Sequence, residues 1–158
     1  SFKYITINKV GVFMKKYDIH AHCDGPCGVY DPSSARIAAE AVLSMTKKML
    51  ALESPDASNK EAMASYVNTM SRYASIKEEE AQKAKDEILL LWTDFFKPEH
   101  LGDNPDLHDT FWKAAKLCSA CKVELSLDHA NELLDAVKNI HHIFWGVKGR
   151  DIPWFTAS

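Results

Sequence analysis

The fold is indicated most clearly by residues 31–52, which read DPSSARIAAEAVLSMTKKMLAL. Asp31 is a favoured N-cap residue, and Pro32 follows it at a position where proline suits the first turn of a helix. Apolar residues then recur every three or four positions, which is typical of an amphipathic α-helix. These positions are Ile37, Ala41, Val42 or Leu43, Met45, Met49 and Leu52. The stretch therefore predicts a first helix that stops near Ser54 and Pro55.

Three further segments show the same helical period. One covers residues 58–96 and has a charged stretch in its middle that is typical of a solvated helix face. The next begins at Asn104 and Pro105, and the last begins at Ser126 and closes near residues 146–149. Their apolar positions include Val67, Met70, Leu91, Trp92, Phe95, Phe111, Trp112, Leu133, Val137, Ile140 and Phe144. Four amphipathic helices with short connections predict an all-α fold, an up-down four-helix bundle.

Composition narrows the class of protein further. Of 158 residues, 46% are hydrophobic and 26% are charged, so one globular domain is expected. A total of 19 Lys and Arg residues against 22 Asp and Glu residues lacks the basic excess that phosphate binding needs, which argues against a nucleic-acid partner. No apolar run approaches the roughly 18 residues that cross a bilayer, so we expect no membrane partner and a cytoplasmic protein.

Residues 1–21 differ from the rest of the chain in charge. They hold four lysines and one acidic residue, Asp18, for a net charge of +3; because the whole chain carries −3, residues 22–158 carry −6. The stretch also lacks the long apolar segment of a secretory signal. We interpret residues 1–21 as a leader, or propeptide, that is removed on maturation, or else as an unstructured extension, and residues 22–158 as the mature domain.

A cysteine-containing loop lies directly before the first helix, at residues 22–30, and reads HCDGPCGVY. Cys23 and Cys27 are four positions apart with glycine and proline between them, which allows both sulfur atoms to converge on one point. Such a loop can form a metal site or a disulfide. The adjacent His22 favours a metal, because thiolate and imidazole together suit zinc, copper, iron or nickel. From the residues alone, a functional metal hook, a structural zinc site and a disulfide or redox pair all stay open.

The longer pattern resembles the nickel superoxide dismutase family. HCDxPCGxY at residues 22–30 is followed by DPSSAR at 31–36, LWTDFFKPEHL at 91–101 and PDLH at 105–108, so the likeness spans essentially residues 22–158. The resemblance implies superoxide as the substrate and one nickel ion per subunit, which cycles between Ni(II) and Ni(III). It also implies that the helical bundles assemble into a homohexamer.

The resemblance implies a set of site residues as well. His22 would bind the metal through its α-amino nitrogen and its imidazole, Cys23 through its thiolate and backbone nitrogen, and Cys27 through its thiolate. Tyr30 would act as a catalytic residue near the open face of the metal. Asp24 would help to hold the shape of the hook.

The same resemblance gives the leader a role. It implies a maturation peptidase that cuts the bond between Ala21 and His22 and so frees the amine of His22. A free amine is a far better metal donor than an amide nitrogen, so we expect the uncut chain to be inactive.

Three positions depart from the family pattern. Better-known members have an acidic residue two positions past the arginine of the first helix and an arginine on the second helix, where this chain has Ala38 and Glu80. The residues that orient the His22 imidazole are therefore absent or replaced, and Glu40 and Glu80 are the nearby candidates. Phe95 stands where a tyrosine is common, so that hydroxyl is missing.

A second cysteine pair, Cys118 and Cys121, lies in the middle of the third helical segment. Positions three apart share one face of a helix, and no other cysteine pair besides the loop accompanies them. We expect both to be buried packing residues.

Two alternatives to a dismutase stay open. One is a protein that binds nickel, copper or zinc with the same loop and without redox turnover. The other is a thiol redox module whose loop forms a disulfide. A redox module would keep its activity after metal removal, whereas a dismutase would not.

Overall fold

The computed structural model describes residues 28–157. Within this range the chain forms four α-helices, and no residue is in a strand. The helices are α1 (Ser33–Ala51), α2 (Lys60–Leu90), α3 (Leu107–Val123) and α4 (Leu127–Val147). A π-helical turn, Leu91–Phe95, continues α2, and a 3₁₀ turn, Pro98–Leu101, leads towards α3. The predicted all-α class is confirmed.

The four helices pack as a bundle in chain order. α1 packs against α2, α2 against α3 and α3 against α4, and α4 closes the bundle against α1. This is the up-down arrangement that short connections between antiparallel helices produce. None of the helices in the described part of the chain has the length and hydropathy to span a membrane.

The first and third helices begin close to the predicted positions. Asp31 accepts a hydrogen bond at 2.8 Å from the backbone N–H of Ser33, the first residue of α1. The N-cap position itself is Pro32, so α1 begins one residue later than predicted. The third helix starts later than its proline suggested. The carbonyl of Asn104 accepts from the N–H of Leu107 at 3.1 Å, which forms a turn before α3 begins.

The core consists of aliphatic and aromatic side chains from all four helices. The largest fully buried ones include Ile88, Leu91, Phe111, Leu133, Ile140 and Phe144. Three residues that the pattern placed on apolar stripes are instead exposed: Ile37 at 57%, Val67 at 53% and Trp112 at 53%. For α1 the reason is geometric. Small residues at 35, 38, 39 and 42 form its buried face, and Ile37 lies off that face.

Candidate metal centre

A cavity of 330 Å³ lies at the end of the bundle where the chain approaches α1. Three parts of the chain meet there: the approach to α1, the end of α2 and the end of α4. Its lining residues are Gly28, Tyr30, Asp94, Phe95, Lys97, His100, Val147 and Lys148. Gly28 has a φ of +63°, a left-handed conformation that favours glycine. The cysteine-containing loop therefore joins the described structure directly at this cavity.

The π-helical turn at the end of α2 supplies one wall of the cavity. Turns of this type add a residue to the helical repeat and are frequent at functional sites. Within it, Phe95 packs with its ring centroid 4.4 Å from Phe144 and 5.7 Å from Tyr30. Phe95, which stands where the family commonly has a tyrosine, thus fills the space between Tyr30 and the core as an apolar ring.

Two lysines give the cavity a positive character. The Lys148 ammonium lies 5.1 Å from the centroid of the Phe95 ring, a cation–π contact, and Lys97 lines the same cavity. Among the described residues, Asp94 is the single acidic residue of the lining. The sequence analysis considered the −6 charge of residues 22–158 as a whole and missed these lysines. Lys97 directly follows the aromatic pair Phe95 and Phe96, which is a local signal, whereas no local signal accompanies Lys148.

Of the predicted site residues, the structure places Tyr30 at the cavity wall. His22, Cys23, Asp24 and Cys27 lie outside the described residues. Between residues 28 and 157, no group of three or more His, Cys, Asp or Glu side chains is arranged to hold a metal ion.

Both candidates for orienting the imidazole have partners of their own. Glu40 is buried and pairs with Arg36 at 2.8 Å, and both of its oxygens accept from the N–H of Ala157. Glu80 pairs with Lys83 one turn further along α2. Both carboxylates therefore already form ion pairs with described residues of their own helices.

Cys118 and Cys121 are buried thiols, as expected. Burial raises the pKa of Cys118 to about 12 and that of Cys121 to about 11, so both stay protonated at neutral pH. Lys77 lies buried beside them and donates to the carbonyl oxygens of Cys121, Lys122 and Glu124 at the end of α3. Burial lowers the pKa of Lys77. The contact ties α2 to the C-terminus of α3, and the favourable dipole of that helix end stabilises the cation.

The fold and this end of the bundle define a class: a small all-α bundle in which the cysteine-containing sequence leads, at Gly28, into a cavity lined by aromatic and cationic residues. The model of the nickel-containing superoxide dismutase family matches residues 17–148. The chain is 37% identical over 137 residues to the superoxide dismutase [Ni] of Streptomyces seoulensis, a match that covers 87% of this chain and 95% of the relative. The corresponding protein of Streptomyces coelicolor is 36% identical over the same shares.

Solved structures agree with these matches. A native nickel superoxide dismutase structure superposes with a TM-score of 0.67 at 36% identity, and covers 82% of this chain and 100% of that chain. A structure with nickel ligation of the oxidised state superposes with a TM-score of 0.70 at 38% identity over the same shares. The chain belongs to the nickel-containing superoxide dismutase family. It is an oxidoreductase, with nickel as the cofactor and superoxide as the substrate, as the sequence resemblance predicted.

Proposed function

We propose that this chain converts superoxide to dioxygen and hydrogen peroxide with a nickel ion held by residues 22–30, after removal of residues 1–21. The observation that carries the proposal is that the HCDGPCG sequence ends at Gly28, on the rim of the cavity that also holds Tyr30. The bound ion would therefore lie where Tyr30 and the two lysines meet.

The donor set fits nickel. Cys23 and Cys27 supply two thiolates, and His22 supplies its α-amino nitrogen and imidazole, a combination of soft sulfur and nitrogen that suits nickel and does not suit magnesium or calcium. When bound, nickel supplies one-electron chemistry through its +2 and +3 states, and anionic sulfur stabilises the higher state. A free amine at residue 22 requires a maturation peptidase that cuts after Ala21.

The residues around the ion would bind the substrate and deliver protons. Two superoxide anions and two protons give one dioxygen and one hydrogen peroxide, so each peroxide formed needs two protons. Tyr30 carries a hydroxyl at the cavity wall and orders superoxide or water there. Lys97 and Lys148 give the cavity a local positive potential, which attracts a small anion in spite of the negative charge of the whole domain. Asp24 holds the shape of the loop.

We also infer assembly and location. A homohexamer is supported by the family membership and by exposed apolar side chains such as Ile37 and Trp112, which are available for contacts between subunits. A cytoplasmic location is in keeping with the free thiols of Cys118 and Cys121, which are typical of a reducing compartment.

The proposal is tested by expressing residues 22–158 with a free N-terminal histidine, loading nickel, and assaying superoxide removal beside the full 158-residue chain. We expect activity from the trimmed chain alone. Equal activity from both would contradict the amine ligand, and no activity from either would contradict the proposed function. A binding protein without turnover would take up nickel but would not give the paramagnetic signal of Ni(III) with an axial nitrogen.

A further inference from the structure

The segment 149–157 lies beyond the family match, which ends at residue 148. Gly149 has a φ of +64°, and its N–H donates to the carbonyl of Gly146 at 2.9 Å. The N–H of Arg150 donates to the carbonyl of Trp145 at 2.9 Å. These bonds cap the end of α4 and reverse the direction of the chain, because glycine accepts the left-handed conformation that the reversal needs.

The segment then runs back along α4. His141, six residues before the end of α4, donates from Nε2 to the carbonyl of Ile152 at 2.8 Å. The ring of Trp154 lies edge-on to the His141 ring with centroids 5.4 Å apart. Both contacts fix the first half of the segment on the surface of α4.

The second half of the segment crosses to α1. The Arg36 guanidinium lies 4.5 Å from the centroid of the Phe155 ring. The N–H of Ala157 donates to both carboxylate oxygens of Glu40, at 2.9 and 3.2 Å. The segment therefore joins α4 to two charged side chains on the first two turns of α1.

These two side chains need such a partner. Arg36 and Glu40 form an ion pair at 2.8 Å, and only 8% and 7% of their surfaces are exposed. Taking charges out of water costs free energy unless further hydrogen bonds satisfy the remaining acceptor sites. The Ala157 N–H supplies such a bond, and the Phe155 ring covers the guanidinium and adds a cation–π contact.

We propose that residues 149–157 are a strap that ties α4 to the first two turns of α1 through Arg36 and Glu40, and so fixes the wall of the Tyr30 cavity. α1 begins three residues after Tyr30, and Val147 and Lys148 at the end of α4 line the same cavity. Arg36 and Glu40 are positioning residues in this account, since they touch the strap and not the substrate. Any effect of the strap on nickel binding rests on the proposed function, whereas the contacts of the strap with α1 and α4 do not.

The direct test is hydrogen exchange of the metal-free chain with and without the strap. In a variant that ends at Lys148, we expect the amides of residues 33–43 to exchange at least about fivefold faster, because local opening of α1 becomes easier. The amides of α3 should keep their rates. Phe155→Ala should give a smaller effect at the same amides in a full-length chain. Trp112→Ala is the matched control, since it removes an exposed aromatic ring that also lies near a cation, in this case Lys116.

Unchanged exchange at residues 33–43, or an equal acceleration throughout α3, would contradict the proposal that residues 149–157 hold α1 in place. Coupling to Glu40 is checked by a double-mutant cycle. Glu40→Gln should accelerate exchange more in the full-length chain than in the chain that ends at Lys148, where, among the described residues, the pair with Arg36 is the one remaining polar contact of the Glu40 carboxylate to lose. Full additivity would contradict an action through Glu40.

Nickel retention supplies a separate readout. Loss of the strap should release nickel to a chelator several-fold faster from the trimmed, loaded chain, because α1 carries the loop. Faster exchange with unchanged nickel release would contradict an effect of the strap on the metal. It would still support the role of residues 149–157 in holding α1. Since the exchange experiment uses metal-free protein, its outcome does not depend on the proposed nickel loop.

Discussion

The chain has two cysteine pairs, and we propose that their surroundings give them opposite chemistry. Cys118 and Cys121 are built into α3, buried, with raised pKa values of about 12 and about 11. Cys23 and Cys27 belong to a loop of glycine and proline that leads to a cavity with two lysines on its wall. A thiol becomes a metal ligand only as the thiolate. If Cys23 and Cys27 bind nickel as proposed, the position of a cysteine, and not its spacing alone, decides whether it binds metal or packs.

The largest expected effect comes from the loop pair. Cys23→Ser should release nickel and reduce superoxide removal by more than about 100-fold, because it removes a thiolate donor. Cys118→Ser is the matched control and should keep both properties within about twofold. Nickel content by elemental analysis and the rate of superoxide removal check the pair of variants. If Cys118→Ser lost nickel as Cys23→Ser does, the contrast between the two pairs would be wrong.

The next effect concerns the cation beside the buried pair. Lys77→Met should lower the free energy of unfolding by about 2 kcal/mol, because three carbonyls at the end of α3 lose their donor. It should also make Cys121 react more slowly with a thiol reagent, because the Lys77 charge lowers the pKa of that thiol and favours the reactive thiolate. Urea unfolding and thiol-labelling rates measure the two effects, with Lys113→Met on the exposed face of α3 as control. An unchanged unfolding midpoint would contradict the role of Lys77.

The dependence of stability on alkaline pH should distinguish the buried pair, Cys118 and Cys121, from the loop pair. The folded-state pKa values of Cys118 and Cys121 lie above the usual 9.0, so the folded chain holds protons that the unfolded chain has lost. Their contribution to stability is complete below about pH 9 and is lost as the pH rises through about 11 to 12. The unfolding midpoint of metal-free protein should fall over this window, and fall less in Cys118→Ala. Equal slopes for both proteins would show that other groups are responsible.

The smallest effect concerns substrate attraction. Lys148→Gln should lower kcat/KM for superoxide by about two- to threefold at low ionic strength, and the difference should shrink as salt screens the charge. Lys113→Gln is the control, because Lys113 is exposed on α3 and pairs with Asp109 at 2.6 Å. A loss of equal size for both variants would mean that the net charge of the domain acts, and not the charge at the cavity.

The helices were predictable because each has its own apolar period, and α2 and α4 also begin at a side-chain cap. Ser126, for example, accepts from the N–H of His129 at 3.2 Å at the start of α4, as its sequence position suggested. The exposure of Ile37 was not predictable, because the sequence does not show whether an apolar residue lies on the buried face of its helix or beside that face. The π-helical turn was missed because an added residue leaves the apolar pattern almost unchanged.

The candidate site was only partly predictable. Tyr30 follows from the loop and from the family resemblance, and the structure places it at the cavity. Lys148 reaches that cavity from the far end of the chain, and Glu40 meets Ala157 across 117 residues. Such contacts are set by tertiary packing, which no local pattern records. His22, Cys23, Asp24 and Cys27 stay predictions.

A difference of one residue at the N-terminus tests the account most directly. Chains that begin at His22 and at Ala21 would be loaded with nickel under the same conditions, and their superoxide removal and Ni(III) signals compared. We expect activity and a Ni(III) signal with nitrogen ligation for the chain that begins at His22, and neither for the chain that keeps Ala21. Equal activity and the same signal in both chains would contradict it.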